Sequence, residues 1–164
     1  RLLIGEPEGG TSVRAQMLAD MLTEVGFDCN HSENIRSEIW FKLWGNMTTN
    51  PISAITGATA DKILQDPLVR KYCSAVMNEA AILGEQIGCQ INEDPESRHE
   101  GTEKLGAFKT SMLQDVENGR AIELDSILGI VYELAQRLEI STPNIESLFG
   151  LTRLFAKTKG LYDQ

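Results

Sequence analysis

The chain has 164 residues, 41% of them apolar and 24% charged, with a formal net charge of −9. That length can bury a full core, and the composition is that of an ordinary globular protein of one domain or little more. The acidic balance argues against nucleic-acid binding, which needs a basic patch, and no apolar run approaches the roughly 20 residues that cross a bilayer.

Finer features point the same way. The densest basic clusters, Arg70-Lys71 and Lys157-Thr158-Lys159, are not interleaved with aromatics. Arg1-Leu-Leu-Ile4 runs at once into Gly5-Glu-Pro-Glu8, so no signal-peptide pattern opens the chain. Cys29, Cys73 and Cys89 are odd in number and lack zinc-ligand spacing, which predicts free thiols in a reducing, cytoplasmic setting. His31 and His99 have no histidine or cysteine at ligand spacing, so no metal is expected and both are assigned surface or capping roles.

In chain order, residues 1–5 read as a short strand, followed by a turn at residues 6–10 and a helix with Thr11 or Ser12 as N-cap. Leu18, Met21, Leu22 and Val25 form the apolar stripe of that helix, and Gly26 closes it. Phe27-Asp-Cys29 reads as a second short strand. So small a strand–helix–strand unit is not stable alone, which predicts that residues 1–33 are the end of an α/β domain and residues 34–164 an all-α domain of five or six helices.

Within that domain, Asp66-Pro67 starts a helix that Gly88 ends, with Cys73, Val76, Met77, Ala80, Leu83 and Ile87 at buried-face spacing. A polar loop at residues 92–97 leads to a helix from about 98 to Glu117, and Asn118-Gly119 is a turn. Ile122, Ile127, Ile130, Val131, Leu134 and Leu138 make the strongest stripe. Thr142-Pro143 caps a last helix, with Leu148, Leu151, Thr152 and Phe155 inward and Gly160 at its end.

The most informative stretch is residues 39–55. Lys42, Asn46 and Asn50 follow one another at intervals of four, so on a helix they share a stripe about 12 Å long. Trp40, Phe41, Leu43, Trp44 and Met47 surround them. A lysine and two amides in such a setting must find partners or reach a polar cavity, and together they suit a small anion. The alternative is a solvated face with a snorkelling lysine. Pro51 breaks the helical rule: either the helix kinks and frees backbone oxygen near Asn46 and Asn50, or it stops at Thr49 and restarts.

A second segment runs Lys109-Thr-Ser111-Met-Leu-Gln-Asp115, then Gly119-Arg-Ala-Ile-Glu123-Leu-Asp125, then Gly129. Taken together, Lys42-x-x-x-Asn46-x-x-x-Asn50-Pro51, Ser111-Met-Leu-Gln-Asp115 and Gly119-Arg-x-x-Glu123-x-Asp125 resemble the ketopantoate reductase family over nearly the whole chain.

That resemblance implies a mainly α fold: a multi-helix domain of the 6-phosphogluconate dehydrogenase C-terminal-like type behind a short Rossmann remnant. It implies NADPH-dependent reduction of the C2 carbonyl of ketopantoate, supplying pantoate for pantothenate and coenzyme A. Lys42 falls on the family's catalytic lysine, Asn46, Asn50 and Ser111 on substrate-binding positions, and Glu123 on an acid at the junction of substrate and cofactor ribose. These residues are expected to line one cleft. A small 2-oxo acid and a homodimer through the helical domain are the expected partners, with no nucleic acid or membrane.

Two departures stand out. Some family members carry a further asparagine ten residues after the second amide, where this chain has Ala60. No GxGxxG follows a strand, and Gly5-Glu-Pro-Glu-Gly9-Gly10 reads as a turn, so the chain by itself is expected to be catalytically inactive, its NADPH-binding loop lying in an absent N-terminal domain. Other readings are a 2-oxo or 3-hydroxy acid dehydrogenase with the same helical domain, or a helical interaction module without chemistry.

Overall fold

Leu2–Ile4 (β1) and Cys29–His31 (β2) pair in parallel, Leu2 opposite Cys29 and Ile4 opposite His31. The connection is the helix Val13–Glu24 (α1), whose N-cap Ser12 accepts from Ala15 N at 3.1 Å. β2 lies two residues beyond the expected strand. The protein is described here by a computed structural model covering residues 1–162. By contacts it divides into two units, residues 1–42 and residues from Leu43 on, so the division falls inside the long helix Ile35–Thr56 (α2).

The first unit departs from the expected packing of α1. Ala15 and Ala19 are its buried residues, while Leu18, Met21 and Val25 stand exposed. Small side chains let α1 sit close to the strands, and a two-stranded sheet is too narrow to cover the large ones. At the front of α1, Glu6 accepts hydrogen bonds from Ser12 and from Arg14, whose Nε lies at 2.7 Å.

From Leu43 on the chain is helical. The helices are Ala60–Gln65 (α3), Pro67–Gln86 (α4), Pro95–Glu103 (α5), Ser111–Glu117 (α6), Ile130–Arg137 (α7) and Pro143–Lys159 (α8), with a π-helical turn at Asp125–Gly129. With α2 that makes seven α-helices among the described residues, more than the five or six expected. One reason is α3, too short for a periodic signal. The other is that the single helix expected from 98 to 117 is two: Gly106 at φ +70° turns the chain after α5, and Thr110 starts α6 by accepting from Leu113 N at 3.2 Å. The helix through Pro51 is continuous to Thr56, which excludes a stop at Thr49.

The core of this unit is built on Trp44 and Met47 of α2, Val76, Met77 and Leu83 of α4, and Ile145 of α8, all essentially fully buried. Trp44 Nε1 donates to the Met77 carbonyl at 2.8 Å, joining α2 to α4. The expected face of α4 is buried from Cys73 to Leu83. On the next stretch the expected stripe is buried at Ile122 and Val131, but Leu124, Leu128 and Ala135 of a second phase are buried too, whereas Ile130 and Leu138 are exposed. Both phases have helical spacing, and packing favoured the one ending on a small alanine.

The start of α8 is a further correction. Thr142 makes no side-chain cap. The cap comes from α4 instead: the Glu79 carboxylate accepts from Asn144 N at 3.0 Å and Ile145 N at 2.9 Å, satisfying two of the orphan amides of a helix start. Leu151, expected inward, is 62% exposed.

Candidate active site

Helix α2 and the segments around α5 and α6 enclose a polar pocket of about 110 Å³. Asn46, Thr49 and Asn50 line it from α2, Ala60 from the start of α3, Arg98, His99 and Thr102 from α5, and Phe108 and Thr110 from the chain entering α6. Its walls are tied together. Ala60 N donates to the Phe108 carbonyl at 2.9 Å, and the buried hydroxyls of Ser53 and Thr110 hydrogen-bond to each other. Ser53 Oγ also donates to the Asn50 carbonyl at 2.9 Å.

The expected site residues are distributed as follows. Asn46 and Asn50 lie in the pocket, Asn46 half-buried and Asn50 6% exposed. Lys42 is exposed, one turn before Asn46 on α2. Ser111 is exposed and directly follows the pocket residue Thr110. Glu123 is exposed ahead of the π-helical turn, its carbonyl accepting from Ile127 N and Ser126 Oγ, both at 3.3 Å. None of Lys42, Ser111 and Glu123 lines this pocket. Asp125 and Gly129 of the same motif shape the turn: Tyr162 donates to Asp125 Oδ1 at 2.6 Å, and a β-carbon on Gly129 would come within 2.9 Å of that oxygen.

Sequence reasoning missed Arg98, His99 and Thr110. His99 is no surface residue; it is 2% exposed, with Nε2 at 2.9 Å from Ser74 Oγ. Burial pushes the His99 pKa down, helped by the charge of Arg70 and opposed by Glu96, Glu103 and Asp94. Arg70 is itself held charged by Glu96, with Nε–Oε1 at 2.9 Å, and by Glu103 at 2.9 Å. The imidazole is therefore disposed to stay neutral in the pocket lining. The one sequence signal for Arg98 is Gly45, a glycine inside a helix with no turn to justify it.

The pocket suits a compact acid. It is well below the roughly 300–1,000 Å³ that encloses drug-sized ligands, so a dinucleotide does not fit inside it. The turn at Glu6–Gly10 is no phosphate cradle either, since the Gly9 and Gly10 amides are spent on the Glu6 and Glu33 carbonyls at 2.9 and 2.7 Å. Among the described residues no cluster of histidine, cysteine and carboxylates could hold a metal ion, Cys29, Cys73 and Cys89 are buried free thiols, and no helix is long and apolar enough to cross a membrane.

Comparison with known proteins gives the family. Residues 34–156 match the family described as "Ketopantoate reductase PanE/ApbA C terminal". A 2-dehydropantoate 2-reductase of Mesorhizobium japonicum is 40% identical over 162 residues, covering 99% of this chain and 50% of that protein. Among solved structures, a Ralstonia solanacearum MolK2 protein provisionally assigned as a ketopantoate reductase superposes with a TM-score of 0.93 at 48% identity, covering 98% of this chain and 49% of that one. D-mandelate dehydrogenase, solved as a ternary structure with NADH and anilino(oxo)acetate, shares the fold at a TM-score of 0.85 and 23% identity, over 95% of this chain and 66% of that one. The chain spans about half the length of the curated 2-dehydropantoate 2-reductases it matches. It belongs to the ketopantoate reductase family, matching that family's helical C-terminal half.

Proposed function

We propose that this chain forms the substrate-binding and catalytic half of an NADPH-dependent 2-dehydropantoate 2-reductase, which reduces ketopantoate to pantoate for pantothenate and coenzyme A synthesis in the cytoplasm. The observation that carries the reading is the pocket that Asn46 and Asn50 of α2 line together with Thr110, the residue before Ser111. Two amides can each donate and accept, so they orient a substrate that carries both carbonyl and hydroxyl oxygens.

Each residue has a role in this reading. Lys42 donates a proton to the C2 carbonyl oxygen, because a cation placed there stabilises the charge of the forming alkoxide. Asn46, Asn50 and Ser111 hold the substrate's oxygens. Glu123, an exposed carboxylate, accepts from the cofactor's ribose hydroxyls. NADPH, held mainly by a nucleotide-binding domain outside this chain, supplies the hydride when bound. Exposed Ile130, Leu151 and Leu154 on α7 and α8 offer apolar area for a homodimer through the helical domain, which sedimentation of a Leu151→Glu/Leu154→Glu double variant tests: a persisting dimer removes that interface.

The deciding experiment is steady-state NADPH oxidation by a protein in which this chain follows a nucleotide-binding domain, with a panel of 2-oxo acids. Ketopantoate is expected to give the highest kcat/KM; another acid in first place would reassign the substrate. In the same protein Lys42→Ala is expected to lower kcat by about 100-fold, and near-native turnover would leave Lys42 as a surface residue. The chain alone is expected to bind no NADPH in calorimetry.

A further inference from the structure

Gly45 sits in the interior of α2, directly before Asn46, where glycine is disfavoured and no left-handed backbone calls for it. The reason is Arg98. A β-carbon at position 45 would lie 2.8 Å from Arg98 Nε, 3.0 Å from Nη2 and 3.3 Å from Cζ, so the guanidinium lies against the bare helix backbone. That contact sets its charged fork beside Asn46, in the pocket that Asn46 and Asn50 line.

Resting on the reductase reading above, we propose that Arg98 is the residue that selects for an acid, receiving the substrate's carboxylate as a bidentate partner. Arg98 is the permanently charged group of the pocket lining, the rest being amides, hydroxyls, the buried His99 and apolar side chains. Amides orient oxygens but do not neutralise a charge, whereas a planar guanidinium matches both carboxylate oxygens at once. Ala60, also in the lining, has no polar side chain.

The test compares ketopantoate with its uncharged methyl ester in the two-domain enzyme. The wild type is expected to prefer the acid, and Arg98→Met to cut the acid-to-ester ratio of kcat/KM by about 100-fold. Arg98→Lys falls between, and Gly45→Ala, which pushes the fork off the helix, moves the preference in the same direction as Arg98→Met. An acid preference that survives Arg98→Met, or an equal fall for acid and ester, overturns the assignment. If the wild type reduces neither compound, the reductase reading fails instead, and oxamate titration of the chain followed by NMR decides on Arg98 alone. Shifts at the Asn46 and Asn50 side-chain amides that vanish in Arg98→Met support it; no shifts in the wild type, or equal shifts in both, overturn it.

Discussion

Along residues 1–42 the large apolar side chains of α1 face solvent, Met17 at 58% and Met21 at 60% exposure, whereas from Leu43 on residues of the same type vanish into a core, Met47 and Met77 at 0% and 1%. Helical periodicity is present in both regions, so periodicity is not what separates them. A stripe buries only where a second surface of matching width faces it. In the first unit that surface is a pair of three-residue strands, and α1 meets it with Ala15 and Ala19. In the second, α4 and α8 pack on one another, Trp44 of α2 hydrogen-bonds to α4, and large side chains carry the stability.

This contrast can be broken most directly at Trp44. Trp44→Ala removes a fully buried ring and its hydrogen bond to Met77, and is expected to cost about 3–5 kcal/mol, read as a large drop in urea midpoint. A loss below 1 kcal/mol would show that the second unit is not organised around this residue.

A smaller effect is expected at the tertiary cap. Glu79→Ala leaves Asn144 N and Ile145 N without their carboxylate, at a cost of about 1–3 kcal/mol, with faster amide exchange in the first turn of α8. An unchanged exchange pattern would return the capping role to Thr142.

The buried imidazole sharpens the comparison through pH. The folded pKa of His99 lies below its ordinary value of 6.5 because burial disfavours the charged form. The unfolded chain therefore binds the proton more readily, and stability falls as pH drops below about 6.5 towards the folded pKa. His99→Gln is expected to flatten that slope in denaturation curves taken between pH 7.5 and 5. Were the slope unchanged, another group would be responsible.

The smallest effect belongs to the first unit. Leu18→Ala or Met21→Ala is expected to change stability by no more than about 0.5 kcal/mol, as at an ordinary surface site. A loss of 2 kcal/mol or more at either would mean that α1 has a covering surface in solution.

Much of the fold was legible because it is written in local chemistry. Asp66-Pro67 starts α4, and Gly160 at φ +68° ends α8. The 3–4 spacing from Cys73 to Leu83 names the buried face of α4. Other signals are ambiguous for physical reasons. Two interleaved apolar phases run from Ile122 to Leu138, and spacing cannot say which faces inward. Gly106 lies within a stretch whose composition is otherwise helical, so the break between α5 and α6 passed unseen.

The candidate site divides in the same way. The sequence by itself determined the stripe of Lys42, Asn46 and Asn50, since four-residue spacing on a helix dictates a shared face. It also determined that Ser111 and Glu123 stand in recognisable motifs. Only the tertiary structure decided that Thr110 rather than Ser111 lines the pocket with the two amides, that His99 is buried against Ser74, and that Glu79 caps a helix 65 residues away. The same is true of Arg98 on Gly45, where an arginine on one helix and a missing β-carbon on another mean nothing until packing brings them together. Local sequence governs dihedrals, caps and helix faces over a few residues. Which distant groups share a cavity depends on how those faces pack, and that is set by volumes and partners no single segment contains.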